Sequence, residues 1–189
     1  MTTIHESEVY QLKVTLDGIT PLIWRRLQVP ASVSLKKLHG VLQTAMGWEN
    51  SHLHQFEARD EIFGDPDPEF GADNIDEARV RLDKVLIRVK DTMHYEYDFG
   101  DGWRHKIVLE EIDKAGEGAI VPVCTGGARA CPPEDCGGVP GYKRCLRVLG
   151  NPSHPEHDEM LEWVGGALDP EHFDIAMVNT LLAGRRRRP

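Results

Sequence analysis

The sequence predicts an α+β domain built on a mostly antiparallel sheet, with one early helix and several helices near the C-terminus. Three observations carry this. Alternating apolar and polar residues mark strands through the first half, and apolar residues at three- and four-residue spacing mark helices through the last third. A Gly100-Asp101-Gly102 turn between two strand patterns supplies a hairpin, so neighbouring strands run antiparallel. Strands early and helices late, with no internal repeat, describe segregated α+β architecture rather than alternating βαβ units.

The elements follow in chain order. Residues 9–17 alternate, with Tyr10, Leu12, Val14 and Leu16 on one face and Gln11, Lys13 and Thr15 on the other. Gly18 turns the chain into a second strand over 22–29, closed by Pro30. Arg25 and Arg26 must then point to opposite faces, and an inward-facing arginine calls for an anionic partner. Ser32 or Ser34 caps a helix reaching Met46, with Leu35, Leu38, Leu42 and Ala45 as its buried stripe and Gly47 at its end. Residues 52–56 read as a strand with His52, His54 and Phe56 on one face. From Glu57 to Glu77 there are nine acids and one base, the composition of a hydrated excursion, with room for a short hairpin through Ile62 and Phe63. Residues 79–86 fit a helical turn or two, after which Ile87 and Val89 begin extended structure. Residues 93–99 and 103–112 form the hairpin strands. Tyr142, Cys145, Leu146 and Leu149 mark one amphipathic helix. Met160, Leu161 and Val164 mark a second after Pro155, and Phe173, Met177, Leu181 and Leu182 turn inward on a third.

At 189 residues the chain suits one domain, expected over 1–184, followed by a basic tail at 185–189. Thirty-one acids against 22 basic residues leave a formal charge of -9, a field that disfavours general binding to nucleic acid. No apolar run approaches membrane-spanning length, and residues 1–9 have no apolar export segment, so the expected location is cytoplasmic. All four cysteines lie between Cys124 and Cys145, and in a reducing compartment they stay unpaired.

Two dense polar segments hold the candidate chemistry. In 95–105, Asp98, Asp101 and His105 can form an acid–base set, with His105 paired to Asp98 or Asp101 across the hairpin. The same residues can serve only to shape the turn and plug the sheet. In 124–145, Cys124, Cys131 and Cys136 can supply thiolates to zinc, with His105 or His54 completing the set. Their spacings are not those of a paired knuckle, and Cys145 falls on the apolar face of its helix. Glu134 and Asp135 offer carboxylates for catalysis or for an ion network with Arg25 or Arg129. His52 and His54, two apart on a strand, can meet one metal. Phosphate-loop, His-Glu-x-x-His and Gly-x-Ser-x-Gly patterns are absent from the sequence.

Taken together, Trp24-Arg25-Arg26, His52-Leu-His54-Gln-Phe56, Tyr95-x-Tyr-Asp-Phe-Gly-Asp-x-Trp-x-His105 and Pro132-Pro-Glu-Asp-Cys-Gly-Gly138 resemble the plasmid pRiA4b ORF-3-like family. The resemblance covers nearly the whole chain. It implies a single α+β domain of bacteria and archaea, sometimes associated with plasmids, and carries over Arg25, His52, His54, Asp98, Asp101, Trp103, His105, Glu134, Asp135 and Cys136 as motif positions. Gly102 departs from the polar residue that relatives often place after Asp101. The first functional expectation is a binding or interaction domain with a protein or small-molecule partner. A metal-assisted hydrolase using zinc is the second, and a nucleic-acid processing accessory of mobile elements is the third.

Overall fold

The computed structural model describes residues 8–66, 74–116 and 119–186. Its centre is an eight-stranded sheet in the order β5-β4-β3-β6-β7-β1-β2-β8. β1 (Glu8–Leu16) pairs antiparallel with β2 (Trp24–Pro30) on one side and β7 (Trp103–Lys114) on the other. β3 (His54–Ala58) joins β6 (Thr92–Tyr97) to β4 (Glu61–Gly64), and β6 pairs with β7 through the expected hairpin. β8 (Val123–Ala128) lines one edge against β2, while two-residue β5 (Ile75–Asp76) adds a parallel pairing with β4 at the other. The hairpin through Ile62 and Phe63 forms as the sequence predicts.

Alternation decides which face is dry. Tyr10, Leu12, Val14 and Leu16 of β1, Met93, Tyr95 and Tyr97 of β6, and Trp103, Ile107 and Leu109 of β7 are buried on one face. The opposite face carries ion pairs and polar contacts, among them Arg104–Glu57 at 2.9 Å and Gln55 Nε2 to Glu96 at 3.2 Å. A register shift between Gln11 and Leu12 leaves Glu110 without a partner on β1, and a bulge of this kind re-aims a side chain. Glu110 accepts from Arg26 Nε at 2.6 Å, and that bond holds its carboxyl below the ordinary carboxylate range.

Helix α1 (Leu35–Met46) covers the dry face. Ser34 Oγ accepts from Lys37 N at 3.3 Å, which selects Ser34 as the cap, and Gly47 ends the helix at φ 95°, where a side chain would be strained. Leu35, Leu38, Leu42 and Ala45 are buried as expected. The short α2 (Leu82–Val85) follows β5, and Ile87 and Val89 do not begin a strand. They stand exposed in a turn whose amides at Ile87 and Arg88 bond Asp91.

Helices α3 (Gly138–Leu149), α4 (His157–Trp163) and α5 (Ile175–Arg186) complete the chain. Cys145 packs with Val148 and Met160 between α3 and α4, as its periodic position predicts. On α5 Leu182 is buried, but Met177 and Leu181 are 57% and 52% exposed, against expectation. The helix docks near its Leu182 face and through Asn179, whose amide bonds both backbone groups of Cys124 at 2.7 and 2.9 Å. The expected basic tail at 185–189 lies outside the described side chains.

Candidate functional site

Strand β6 ends at Tyr97 because Asp98 adopts φ 57° and turns the chain. The parity that would bring Phe99 onto the dry face is lost there, and Phe99 is 49% exposed. Asp98 is buried instead. Its Oδ1 accepts from Gly100 N at 3.0 Å and Asp101 N at 3.3 Å, shaping the turn, and its own amide bonds Leu53 O at 2.9 Å. His52, just before β3, comes alongside. His52 Nε2 stands 3.7 Å from Asp98 Oδ2 and 3.2 Å from Asp135 Oδ1. The first is too long for a hydrogen bond and the second is a charge contact without one, so the buried Nε2 has no hydrogen-bond partner.

Asp135 arrives from the second dense segment, held to the hairpin by two direct contacts. Asp101 Oδ2 accepts from Gly137 N at 3.1 Å. Gly138, at φ 66°, lies so close to Asp101 that a Cβ there would collide with the Asp101 carbonyl oxygen. Replacing Gly138 with alanine is expected to destabilise the fold by about 2 kcal/mol or more, read from urea unfolding, because left-handed strain and a backbone clash act together. A loss below about 0.5 kcal/mol would show that the two segments do not depend on this approach.

Glu134 stitches a third segment to the junction. Its Oε1 accepts from Tyr97 OH at 2.6 Å and Glu49 N at 3.0 Å, and Tyr97 OH accepts from Ser51 N at 2.9 Å. Burial, then the Glu134 bond, pushes the Tyr97 phenol up, so it remains a donor. Trp48 Nε1 donates to Pro132 O at 3.0 Å and its ring stacks on Tyr97 at 5.1 Å. Asp135 separates two clefts. One of about 410 Å³ is bordered by Trp48, Cys131 and Glu134, and one of about 300 Å³ by Cys136, Arg144, Glu159 and Trp163.

The remaining candidates go elsewhere. His105 is fully buried, and its nearest polar partner is Tyr95 O, 3.3 Å from Nδ1. The expected pairing with Asp98 or Asp101 does not form, because inward parity sends His105 into the core while both acids face the turn. His54 pairs with buried Glu77 at 2.9 Å and stacks on His39, ring centroids 3.4 Å apart, rather than sharing a ligand with His52. Strand β3 begins at His54, so His52 lies outside the pleat that would align the two.

All four cysteines are free. Cys124 sits in β8, and its thiol is pushed up by burial. Cys131 accepts from Arg25 at 3.5 Å, and burial raises it to about 11. Burial first, then Cys145 and Asp101, raises Cys136 to about 12. These are protonated thiols at neutral pH; Cys136 packs beside Cys145, while Cys124 and Cys131 lie apart in β8 and beside Arg25. Among the described residues, the metal-ligand types that gather within 4.8 Å of one another are His52, Asp98 and Asp135.

The two arginines also differ from expectation. Arg25 is buried without a carboxylate: Nε donates to Ala45 O at 2.8 Å, Nη1 to Trp24 O and Ala128 O, and Nη2 to Arg129 O. Phe173 covers its guanidinium at 4.2 Å. Backbone carbonyls serve where an anion was expected, because five donors in one plane can meet several chain ends at once. Arg129 bonds Glu171 at 2.8 Å, so neither arginine reaches Glu134 or Asp135. Arg25 is buried, and Arg26 is paired with Glu110.

Residues 8–177 match the family described as plasmid pRiA4b ORF-3-like protein. The chain belongs to this family. It is similar to the uncharacterized protein y4hQ of Sinorhizobium fredii, 47% identical over 179 residues that make up 92% of this chain and 87% of that protein. A crystal structure of a protein of unknown function from Methanosarcina mazei Go1 superposes with a TM-score of 0.82 at 39% identity, covering 90% of this chain and 97% of that one. For this pRiA4b ORF-3-like chain, no helix among the described residues is long and apolar enough to cross a membrane.

Sequence reasoning missed His39, Gln43, Tyr97 and Glu77 as network members. His39 Nδ1 lies 2.8 Å from Tyr95 OH, which also accepts from Gln43 at 2.9 Å, while His39 Nε2 contacts Asn50 Oδ1. One signal was available: His39 lies four residues after Leu35, on the inward side of α1.

Proposed function

We propose that this chain is a binding domain whose contact surface is the junction between the β6–β7 hairpin and the acidic loop at 132–138, and that its partner is a protein. One observation carries the reading. Leu53 and Phe99, 62% and 49% exposed, flank His52 and Asp98 in the chain, setting large apolar side chains beside an incompletely paired polar cluster. Apolar and aromatic anchors around a small polar centre suit protein recognition. The neighbouring motif groups support binding over turnover, since Asp101, Glu134, His54 and His105 are already engaged within the chain.

The test places a photo-crosslinking amino acid at Phe99 and, as a control, at Ile120, which is 66% exposed and borders the opposite end of β1. Irradiation in cells is expected to give discrete adducts from Phe99 alone, lost on Leu53→Asp. Equal patterns from both positions would remove the junction as the contact surface. Substrate turnover abolished by His52→Ala would put the metal-assisted hydrolase in its place, and retention of nucleic acid at low salt would favour the mobile-element reading.

A further inference from the structure

The geometry points to a divalent transition-metal site formed by His52 Nε2, Asp98 and Asp135, a ligand of the junction that clamps hairpin to loop; we propose zinc as its best occupant. This rests on reading the junction as the binding surface and names what that surface holds.

The spacing comes first. Oxygen and nitrogen ligands at about 2.0–2.2 Å from a tetrahedral zinc stand roughly 3.3–3.6 Å from one another. His52 Nε2 stands 3.7 Å from one carboxylate and 3.2 Å from the other, on either side of that span. No hydrogen bond joins these atoms, and the buried Nε2 has no such partner. The three ligand atoms lie within 4.8 Å of one another without a hydrogen bond from Nε2, an arrangement that a shared ion would complete.

The support around the ligands is the second observation. Asp98 has a side chain only 10% exposed, and its Oδ1 is fixed by Gly100 N and Asp101 N, which directs Oδ2 toward His52. Such bonds to a ligating carboxylate hold its orientation. Asp98 and Asp135 both lie at φ 57°, a costly backbone region that persists where surrounding contacts enforce it. Those contacts are the Asp101–Gly137 bond and the Glu134–Tyr97 bond on either side.

One imidazole and two carboxylates suit zinc, with manganese or ferrous iron as competitors. Three protein ligands leave a coordination position open. Asp135, with a side chain 73% exposed, is placed to present that position to a partner's carboxylate or imidazole.

The experiment titrates zinc, and separately manganese, into the full chain after tag removal and chelator dialysis, using calorimetry. One equivalent of zinc is expected to bind. Its affinity should fall more than about tenfold in His52→Ala and in the surface variant Asp135→Asn, and stay within about twofold in His54→Ala and Cys131→Ser. Because Asp98→Asn can disturb the turn, Asp135→Asn keeps the test independent of folding. X-ray absorption should report nitrogen and oxygen ligands without sulfur. Less than about 0.1 equivalent bound, sulfur in the shell, or loss with Cys131→Ser but not with His52→Ala would overturn the site. The Phe99 crosslink separates the two proposals: where calorimetry finds no zinc bound and the adducts still form, the cation is refuted and the binding surface stands.

Discussion

Arg25→Met is expected to lower the unfolding free energy by about 4 kcal/mol, among the largest effects of any single substitution in this protein. The side chain is 2% exposed and donates to carbonyls of β2, the C-terminal turn of α1, the end of β8 and Arg129. Methionine fills much of the space but leaves buried oxygens without donors, at about 1–3 kcal/mol for each that finds no substitute. Arg25→Lys should recover less than half, because one ammonium cannot reach carbonyls arranged around a planar fork. Urea unfolding monitored by tryptophan fluorescence measures both. A loss below about 1 kcal/mol in Arg25→Met would show that water replaces the guanidinium and that the end of β8 does not depend on Arg25 for its place.

The second large effect is acid sensitivity, and it belongs to His105. Burial holds this imidazole down to about 4, against an ordinary value near 6.5, although bonds to the Tyr95 and Trp103 backbone oppose the shift. The bond from Nδ1 to Tyr95 O assigns the ring proton to Nδ1 and leaves Nε2 as a bare acceptor in the core. Above pH 6.5 the group is neutral in both folded and unfolded chains. Between 6.5 and about 4 the unfolded chain takes up a proton that the folded chain refuses, so stability is lost as pH falls through that window. Below it both states are protonated, and this group contributes no further change. The contribution is about 3 kcal/mol across the window. His105→Phe should therefore unfold less steeply with acid than the wild type between pH 7 and 4. Parallel acid limbs would show that water reaches the ring.

His105 also shows how far the sequence can be read. Its parity with Trp103, Ile107 and Leu109 predicts an inward side chain, and inward it is. The same parity excludes the pairing with Asp98 or Asp101 that proximity in sequence suggests, since those acids belong to a turn where alternation has ended. The metal-type candidates behave similarly. His52, Asp98 and Asp135 each stand out in the sequence, but in groups drawn by nearness along the chain: His52 with His54, Asp98 with His105, Asp135 with Glu134. Each chain-neighbour group is divided by the fold, and one member of each meets at the junction.

By itself the sequence determined what depends on neighbours a few residues apart. The alternation of β1, a serine-capped start and the Gly47 stop of α1, the hairpin at Gly100–Gly102 and the inward Cys145 are all set by local backbone geometry and the period of apolar residues. Tertiary structure alone decided which distant segments share a place. Arg25 finds carbonyls instead of an anion because the last turn of α1 and the end of β8 converge on β2 around it. His52 meets Asp98 and Asp135 because sheet register and the Asp101–Gly137 contact bring three separate segments together. Local preferences carry no information about that convergence; it arises only when burial of one sheet face fixes the register of every strand at once.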